Sequence, residues 1–199
     1  MDYSTIGLIG HKGAGKDTAY AALRDLGFRN EKFAAPLKNM LRTLLGDLGH
    51  THKMIERMIE GDLKEFQLES LGGVTPRLAM QTLGTEWGRR HLGEDFWVAA
   101  AMRRADVGNG RVAFTDVRYE NEVEAIRREG GLVVRITRPG LPVDLSHESE
   151  RFVAEVKPDM EIVNDCPDAA AFENVVYRVF HAGLNWQRLF PLAANHETR

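Results

Sequence analysis

"GHKGAGKDT", residues 10–18, follows the apolar run "IGLIG" without a break. The stretch reads as a strand that runs into a glycine-rich turn and opens a helix. Gly10-x-x-x-x-Gly15-Lys16 has the Walker A spacing, and the strand-turn-helix context is what gives that spacing meaning. Glycines let backbone N–H groups turn inward around phosphate oxygens. The helix N-terminus adds a favourable partial charge, and the lysine reaches the outer phosphates. The expected phosphate-binding residues are Lys12, Gly13, Ala14, Gly15, Lys16, Asp17 and Thr18. The bland alternative is a glycine-rich turn with a surface lysine.

Asp17 stands where such loops usually carry serine or threonine, whose hydroxyl ligates magnesium. A carboxylate can hold the same hard cation, directly or through water, while Thr18 supplies a hydroxyl one residue later. Asp17 can equally stabilise the first turn of the helix, since negative charge is favoured there. Both readings stay open at this point.

Outward from the loop, strand and helix patterns alternate. A helix is expected over about 15–26, a short strand near 31–34 and a helix over about 36–48. "RVAFTD" reads as a strand and "NEVEAIRREGG" as a helix with Asn121 and Glu124 at capping-box spacing. "LVVRITR" and "MEIVND" read as further strands, and a helix closes the series over about 168–189. The fold class is therefore α/β, with about five strands, covering helices and a mostly helical insertion over about 51–106. The last helix, with Phe180, Leu184, Trp186, Leu189 and Phe190, fits either a core element or a homodimer interface.

The 199 residues are 43% hydrophobic and 28% charged, which suits a single domain with a sizeable core. A formal net charge of -3 gives no global field for nucleic acid or anionic lipid, so anionic ligands need local positive charge. The single cysteine, Cys166, excludes an internal disulfide framework and fits a reducing compartment. No apolar run approaches the roughly 20 residues that span a bilayer, and no basic leader precedes the first strand, so a cytoplasmic protein is expected.

Asp116 ends the strand "VAFTD", and the C-terminal ends of parallel strands form the ligand-binding edge of open α/β sheets. It is a Walker B-like candidate for the magnesium on nucleotide phosphates, against the bland reading of an aspartate opening a turn. Arg118, two residues on, can bind phosphate through its planar fork or pair with Glu120 or Glu122.

In "TPRLAMQTLGTEWGRR", Ala79, Leu83 and Trp87 form an apolar helix face, while Arg77, Gln81 and Thr85 form a polar one. Gly84 and Gly88 fall on the polar side. Each glycine costs about 1 kcal/mol against alanine in a helix, so either a ligand or another backbone comes close by or, as the bland alternative, this is a solvated helix face.

"GHKGAGKDT", "FAAPLK", "TPRLAMQTLGTEWGRR", "DFWV" and "DVRYENEVEAIRREGG" occur in one order, and together they resemble bacteriophage-type deoxynucleoside monophosphate kinases. These are a branch of the P-loop nucleoside monophosphate kinases. The resemblance covers about residues 5–165, and "GKDT" looks like a variant of this group. It implies a single three-layer P-loop domain over 1–199, with a mobile helical monophosphate-binding insertion and a lid over about 138–151. It also implies ATP and Mg2+, with a deoxynucleoside monophosphate as phosphoryl acceptor. By resemblance, Lys38, Arg77, Gln81, Thr85 and Arg118 lie around the acceptor. Arg138 is the first choice for covering the transferring group, ahead of Arg135, His147 and Arg151. "VNDCPDAAAF" is implied to pass the ATP base and read it through backbone groups. Where the group often has "FADPLK", this chain has Ala35.

Two other readings stand beside this one. The first is a P-loop kinase of another small phosphorylated metabolite, since several share a "GKD" loop. The second is a nucleotide switch or nucleic-acid-stimulated ATPase; no "NKxD" pattern and no long basic stripe supports it.

Overall fold

The computed structural model describes residues 4–108, 110–142 and 148–189. In chain order it begins with β1 (Thr5–Ile9), α1 (Lys16–Asp25) and β2 (Arg29–Glu31). Helices α2 (Ala35–Asp47) and α3 (His52–Ile59) follow, then two 3-10 turns, Asp62–Glu65 and Glu69–Leu71. Next come α4 (Pro76–Gln81), a π-helical segment over Thr82–Leu92, and α5 (Phe96–Val107). The chain ends with β3 (Val112–Phe114), α6 (Glu120–Arg128), β4 (Leu132–Thr137), α7 (Glu148–Glu155), β5 (Met160–Val163) and α8 (Ala169–Leu189). It divides into two structural units, Met1–Glu31 with Asn109–Arg199, and Lys32–Gly108.

The first unit holds one five-stranded sheet in the order β2-β3-β1-β4-β5. Every pairing is parallel, with Gly7 opposite Phe114 on one side of β1 and opposite Val133 on the other. Parallel strands are buried on both faces, and β1 is buried at all its positions. On one face Ile6, Leu8, Val134, Ile136 and Ile162 pack with Ala19, Ala22 and Leu23 of α1 and Phe172, Val176 and Phe180 of α8. On the other face Ile126 of α6 closes on β1: a Cβ on Gly7 would lie 2.4 Å from its Cδ1, so that side chain would have to shift to admit one. These three layers are the expected α/β architecture.

The structure moves some boundaries. β2 is Arg29–Glu31, not the expected 31–34. The apolar Phe33 that suggested the later position is buried beyond the strand. The cap of helix α6 lies two residues before the expected Asn121: Tyr119 is the N-cap, and the Glu122 carboxylate accepts its N–H at 3.2 Å. Phe180 belongs to the core, while the side chains at 184, 186 and 189, and all of Phe190, lie outside the described ones.

In the second unit the core is Leu41, Leu45, Ile55, Met58 and Ile59, with Leu63, Leu68, Leu71, Ala79 and Met80 packed around it. The expected insertion over 51–106 lies inside this unit, which begins earlier, at Lys32. Among the described residues no helix is long and apolar enough to cross a membrane.

Candidate active site

Because all the strands of the first unit run parallel, their C-terminal ends share one edge, where ligands bind in such sheets. The glycine-rich loop leaves β1 there. Gly10 has φ 154° and backs onto β4, so that a Cβ would sit 2.5 Å from the Ile136 carbonyl oxygen. Gly15 has φ 111°, and a Cβ there would meet the Asn164 amide nitrogen at 2.6 Å. Both positions thus require glycine on conformation and on space. The N–H groups of Lys12, Gly13 and Gly15 have no acceptor among the described residues, nor do those of Asp17 and Thr18 in the first turn of α1. A run of unanswered donors ahead of a helix is an anion cradle. Ala14 is buried and its N–H donates to the His11 carbonyl at 3.1 Å, so within the expected set it shapes the loop. The Lys16 ammonium donates to the carbonyls of Gly10 and His11.

Asp17 is exposed, makes no hydrogen bond among the described residues, and α1 has no side-chain cap. Asp116 leaves β3 two residues beyond Phe114, which pairs with Gly7; continued, that register sets it level with Ile9, just before the loop. Among the described residues no group of three or more His, Cys, Asp or Glu side chains is placed to hold a metal. Asp17 and Asp116 carry hard carboxylate oxygens, a donor type that magnesium accepts beside phosphate and water.

Arg118 is exposed and its guanidinium has no acid partner among the described residues. The expected rival pairing with Glu122 does not form: that carboxylate instead accepts the backbone N–H of Arg118 at 2.6 Å. Arg138, also exposed and without a partner among the described residues, follows β4. Its carbonyl accepts the Leu141 N–H at 3.3 Å. A Cβ on Gly13 would lie 3.3 Å from Leu141, so the start of the expected lid rests beside the phosphate loop. Residues 143–147, His147 included, lie outside the described residues; Arg151 is exposed on α7. Arg135 has another task, for its guanidinium donates to the Val156 carbonyl at the end of α7.

Sequence reasoning missed Asn164. It is buried after β5, its N–H donates to the Thr137 carbonyl at 2.7 Å, and its side-chain amide donates to the Ala14 carbonyl at 2.9 Å. A side chain, not only backbone, thus joins "VND" to the loop. An asparagine directly after the strand "MEIV" was the available signal. Asp168 in the same stretch accepts the Ala171 N–H at 2.8 Å and caps α8.

The remaining expected residues belong to the second unit. Lys38 donates to both carboxylate oxygens of Glu60 at 2.9 Å, and Arg77 pairs with Glu65. Arg42 spans Glu56, at 2.7 Å, and Glu60, at 3.2 Å. The hydrogen bond to Glu56 raises the Arg42 pKa, and the same bond lowers that of Glu56. Burial opposes charge on Glu60, yet the hydrogen bond and charge of Lys38, with Lys32 and Lys64, hold its carboxyl below the ordinary range. Gln81 and Thr85 are exposed and make no hydrogen bond among the described residues.

The two glycines on this stretch serve Trp97. Its indole N–H donates to the Gly84 carbonyl at 2.9 Å, and a Cβ on Gly88 would lie 2.1 Å from the same nitrogen. The close approach expected there is made by a buried side chain of α5. The turns close over five residues from Thr82 onward, so the regular α-helical wheel does not extend to Trp87, which is 39% exposed and packs edge-on to Phe96.

The family model for deoxynucleotide monophosphate kinase matches residues 47–170. A protein of Acanthamoeba polyphaga mimivirus named "Putative deoxynucleotide monophosphate kinase" is 32% identical over 178 residues, which cover 80% of this chain and 88% of that protein. Among solved structures, TT1252 from Thermus thermophilus matches at 14% identity and a TM-score of 0.47, over 92% of this chain and 96% of that one. An unliganded sugar kinase from Janibacter sp. HTCC2649 matches at 14% identity and a TM-score of 0.40, over 98% and 99%. Those two likenesses are too remote to carry an argument. The family match spans more than half of the chain and starts beyond the glycine-rich loop, whose reading rests on its own geometry; with the viral relative beside it, the chain belongs to the deoxynucleotide monophosphate kinase family.

Proposed function

We propose that this kinase takes the γ-phosphate from ATP, with magnesium, and passes it to a deoxynucleoside monophosphate to give the diphosphate. The observation that carries the donor half is that the N–H groups of Lys12, Gly13, Gly15, Asp17 and Thr18 lack an acceptor among the described residues, with the Lys16 side chain beside them. In this reading Lys12, Gly13, Gly15, Lys16, Asp17 and Thr18 hold the ATP phosphates and Ala14 fixes the loop. Magnesium, when bound, neutralises phosphate charge, and Asp17 and Asp116 are the residues that would hold it. Lys38, Arg77, Gln81, Thr85 and Arg118 bind the acceptor. Arg138 and Arg118 offer charge to the transferring group, and the segment over 138–151 excludes water as it closes.

No protein nucleophile is needed, because the acceptor phosphate oxygen attacks directly, and no general base is needed, because that phosphate is already anionic at neutral pH. Catalysis is then positioning plus electrostatic stabilisation. The substrates give the activity a cytoplasmic setting, that of the host where a virus encodes the chain.

An ATP-coupled screen across all deoxy- and ribonucleoside monophosphates tests the proposal. ADP formation that depends on a deoxynucleoside monophosphate is expected, with Lys16→Ala lowering it about 100-fold or more. Turnover that needs another phosphorylated metabolite, or DNA in place of a monophosphate, would replace the proposal with one of its rivals.

A further inference from the structure

Lys64 sits half-buried in the 3-10 turn Asp62–Glu65, whose neighbouring Leu63 packs on the core of the second unit. The acids around it are already engaged. Asp62 is held by Arg57 at 2.7 Å, Glu65 by Arg77, and Glu60 by Lys38 at 2.9 Å and Arg42 at 3.2 Å. Lys64 itself makes no hydrogen bond or close ion pair among the described residues. It lies within electrostatic reach of Lys38, Arg77 and Lys32, and of Glu60, whose charge favours its own. Burial and these like charges hold its ammonium below the ordinary lysine range.

Lys38, Arg42, Lys64 and Arg77 thus stand with Glu56, Glu60 and Glu65, four positive charges to three negative. Like charges brought together by folding are unfavourable, and a solvated lysine would turn its head away into water. A phosphate monoester carries nearly two negative charges at neutral pH and is the counter-charge this cluster lacks. Lys38 and Arg77 are the acceptor-binding residues named above, and the same cluster includes one more cation.

We propose that Lys64 is a third cationic contact for the phosphate of the acceptor nucleotide, beside Lys38 and Arg77. This rests on the phosphotransfer reading given above. It also gives Glu60 and Glu65 a role as temporary partners that hold Lys38 and Arg77 until the acceptor arrives.

Steady-state kinetics on the full chain with the best deoxynucleoside monophosphate test this, using Lys64→Ala, Lys64→Arg and, as a control on an exposed face of α3, Lys53→Ala. Lys64→Ala should raise the acceptor KM at least tenfold and leave the ATP KM within twofold, because a charge-assisted contact is lost on one side only. Lys64→Arg should restore part of the loss. Thermal unfolding of Lys64→Ala should match or exceed the parent, since a repelled charge has gone; a purely structural lysine would give the opposite. An acceptor KM within twofold of the parent for Lys64→Ala overturns the proposal.

If that variant does not fold, acylation of the parent with an amine-reactive ester and mass spectrometry decides. Protection of Lys64 by the monophosphate, and not by ATP, supports the contact, and equal labelling overturns it. A parent that phosphorylates no deoxynucleoside monophosphate removes the functional reading and this proposal together. An active parent with unchanged Lys64→Ala removes this proposal alone.

Discussion

Replacing Gly88 with alanine tests the packing that shapes the π-helical segment. The new Cβ would stand 2.1, 2.5 and 2.8 Å from Nε1, Cε2 and Cζ2 of Trp97. Carbon atoms in contact prefer about 3.5–4.0 Å, so the indole must retreat by roughly 1 Å or more. It has little room: Trp97 is 3% exposed and is flanked by Phe96, with ring centres 4.8 Å apart, and by Trp87 at 6.0 Å. Retreat also breaks its hydrogen bond to the Gly84 carbonyl, 2.9 Å long. Overpacking costs about 1–3 kcal/mol and an orphaned buried donor about 1–3, against about 1 gained in helix propensity, so a net loss of about 1–5 kcal/mol is expected. Gly46 in α2 provides the contrast, because nothing lies within 4 Å of its Cβ position. Alanine there should stabilise by up to about 1 kcal/mol. Urea unfolding followed by circular dichroism measures both. A Gly88→Ala variant as stable as the parent, or shifts of the same sign at the two sites, would refute the reasoning.

Asp17→Asn and Asp116→Asn should each shift the magnesium titration of ATP turnover to higher concentration while metal-free nucleotide binding changes little; curves that superimpose on the parent remove that residue from the metal site. Arg138→Ala should lower kcat more than it raises the acceptor KM, because its charge is best used in the closed complex, and an unchanged kcat would move the role to Arg151. For Glu60, whose carboxyl is held below its ordinary value, the stabilisation is present above the unfolded carboxylate range, near pH 4.3, and is lost as pH falls through the lower folded value. Glu60→Gln should therefore be less stable than the parent at pH 7 and converge on it in acid; a gap that widens as pH falls would reverse the assignment.

How far the sequence spoke depended on whether its signals were local. β1, the loop and α1 were legible because an apolar run, three glycines and a lysine lie within a dozen residues. β2 was not, since Arg29, Asn30 and Glu31 form a short polar edge strand and the nearby Phe33 drew the reading downstream. The fit of Trp97 against Gly88 was invisible because it joins two separate helical segments. In the candidate site, Lys16, Asp17 and Asp116 could be named from strand ends and spacing. The pairing of Lys38 with Glu60, 22 residues apart, and the tie from Asn164 to Ala14 across 150 residues could not. Such contacts exist only once tertiary structure brings their partners together.

The ammonium of Lys16, already bound to the carbonyls of Gly10 and His11, has a consequence for how tightly a nucleotide can be held. A free lysine carries about 2 kcal/mol of rotamer entropy, which a ligand must remove when it fixes the chain. Here the fold has removed much of that freedom before any ligand arrives. On the proposed reading, docking would exchange two carbonyl oxygens for phosphate oxygens instead of ordering a mobile side chain, which would favour affinity through preorganisation. The same carbonyls would receive the ammonium again when product leaves, so release would not strand a desolvated charge.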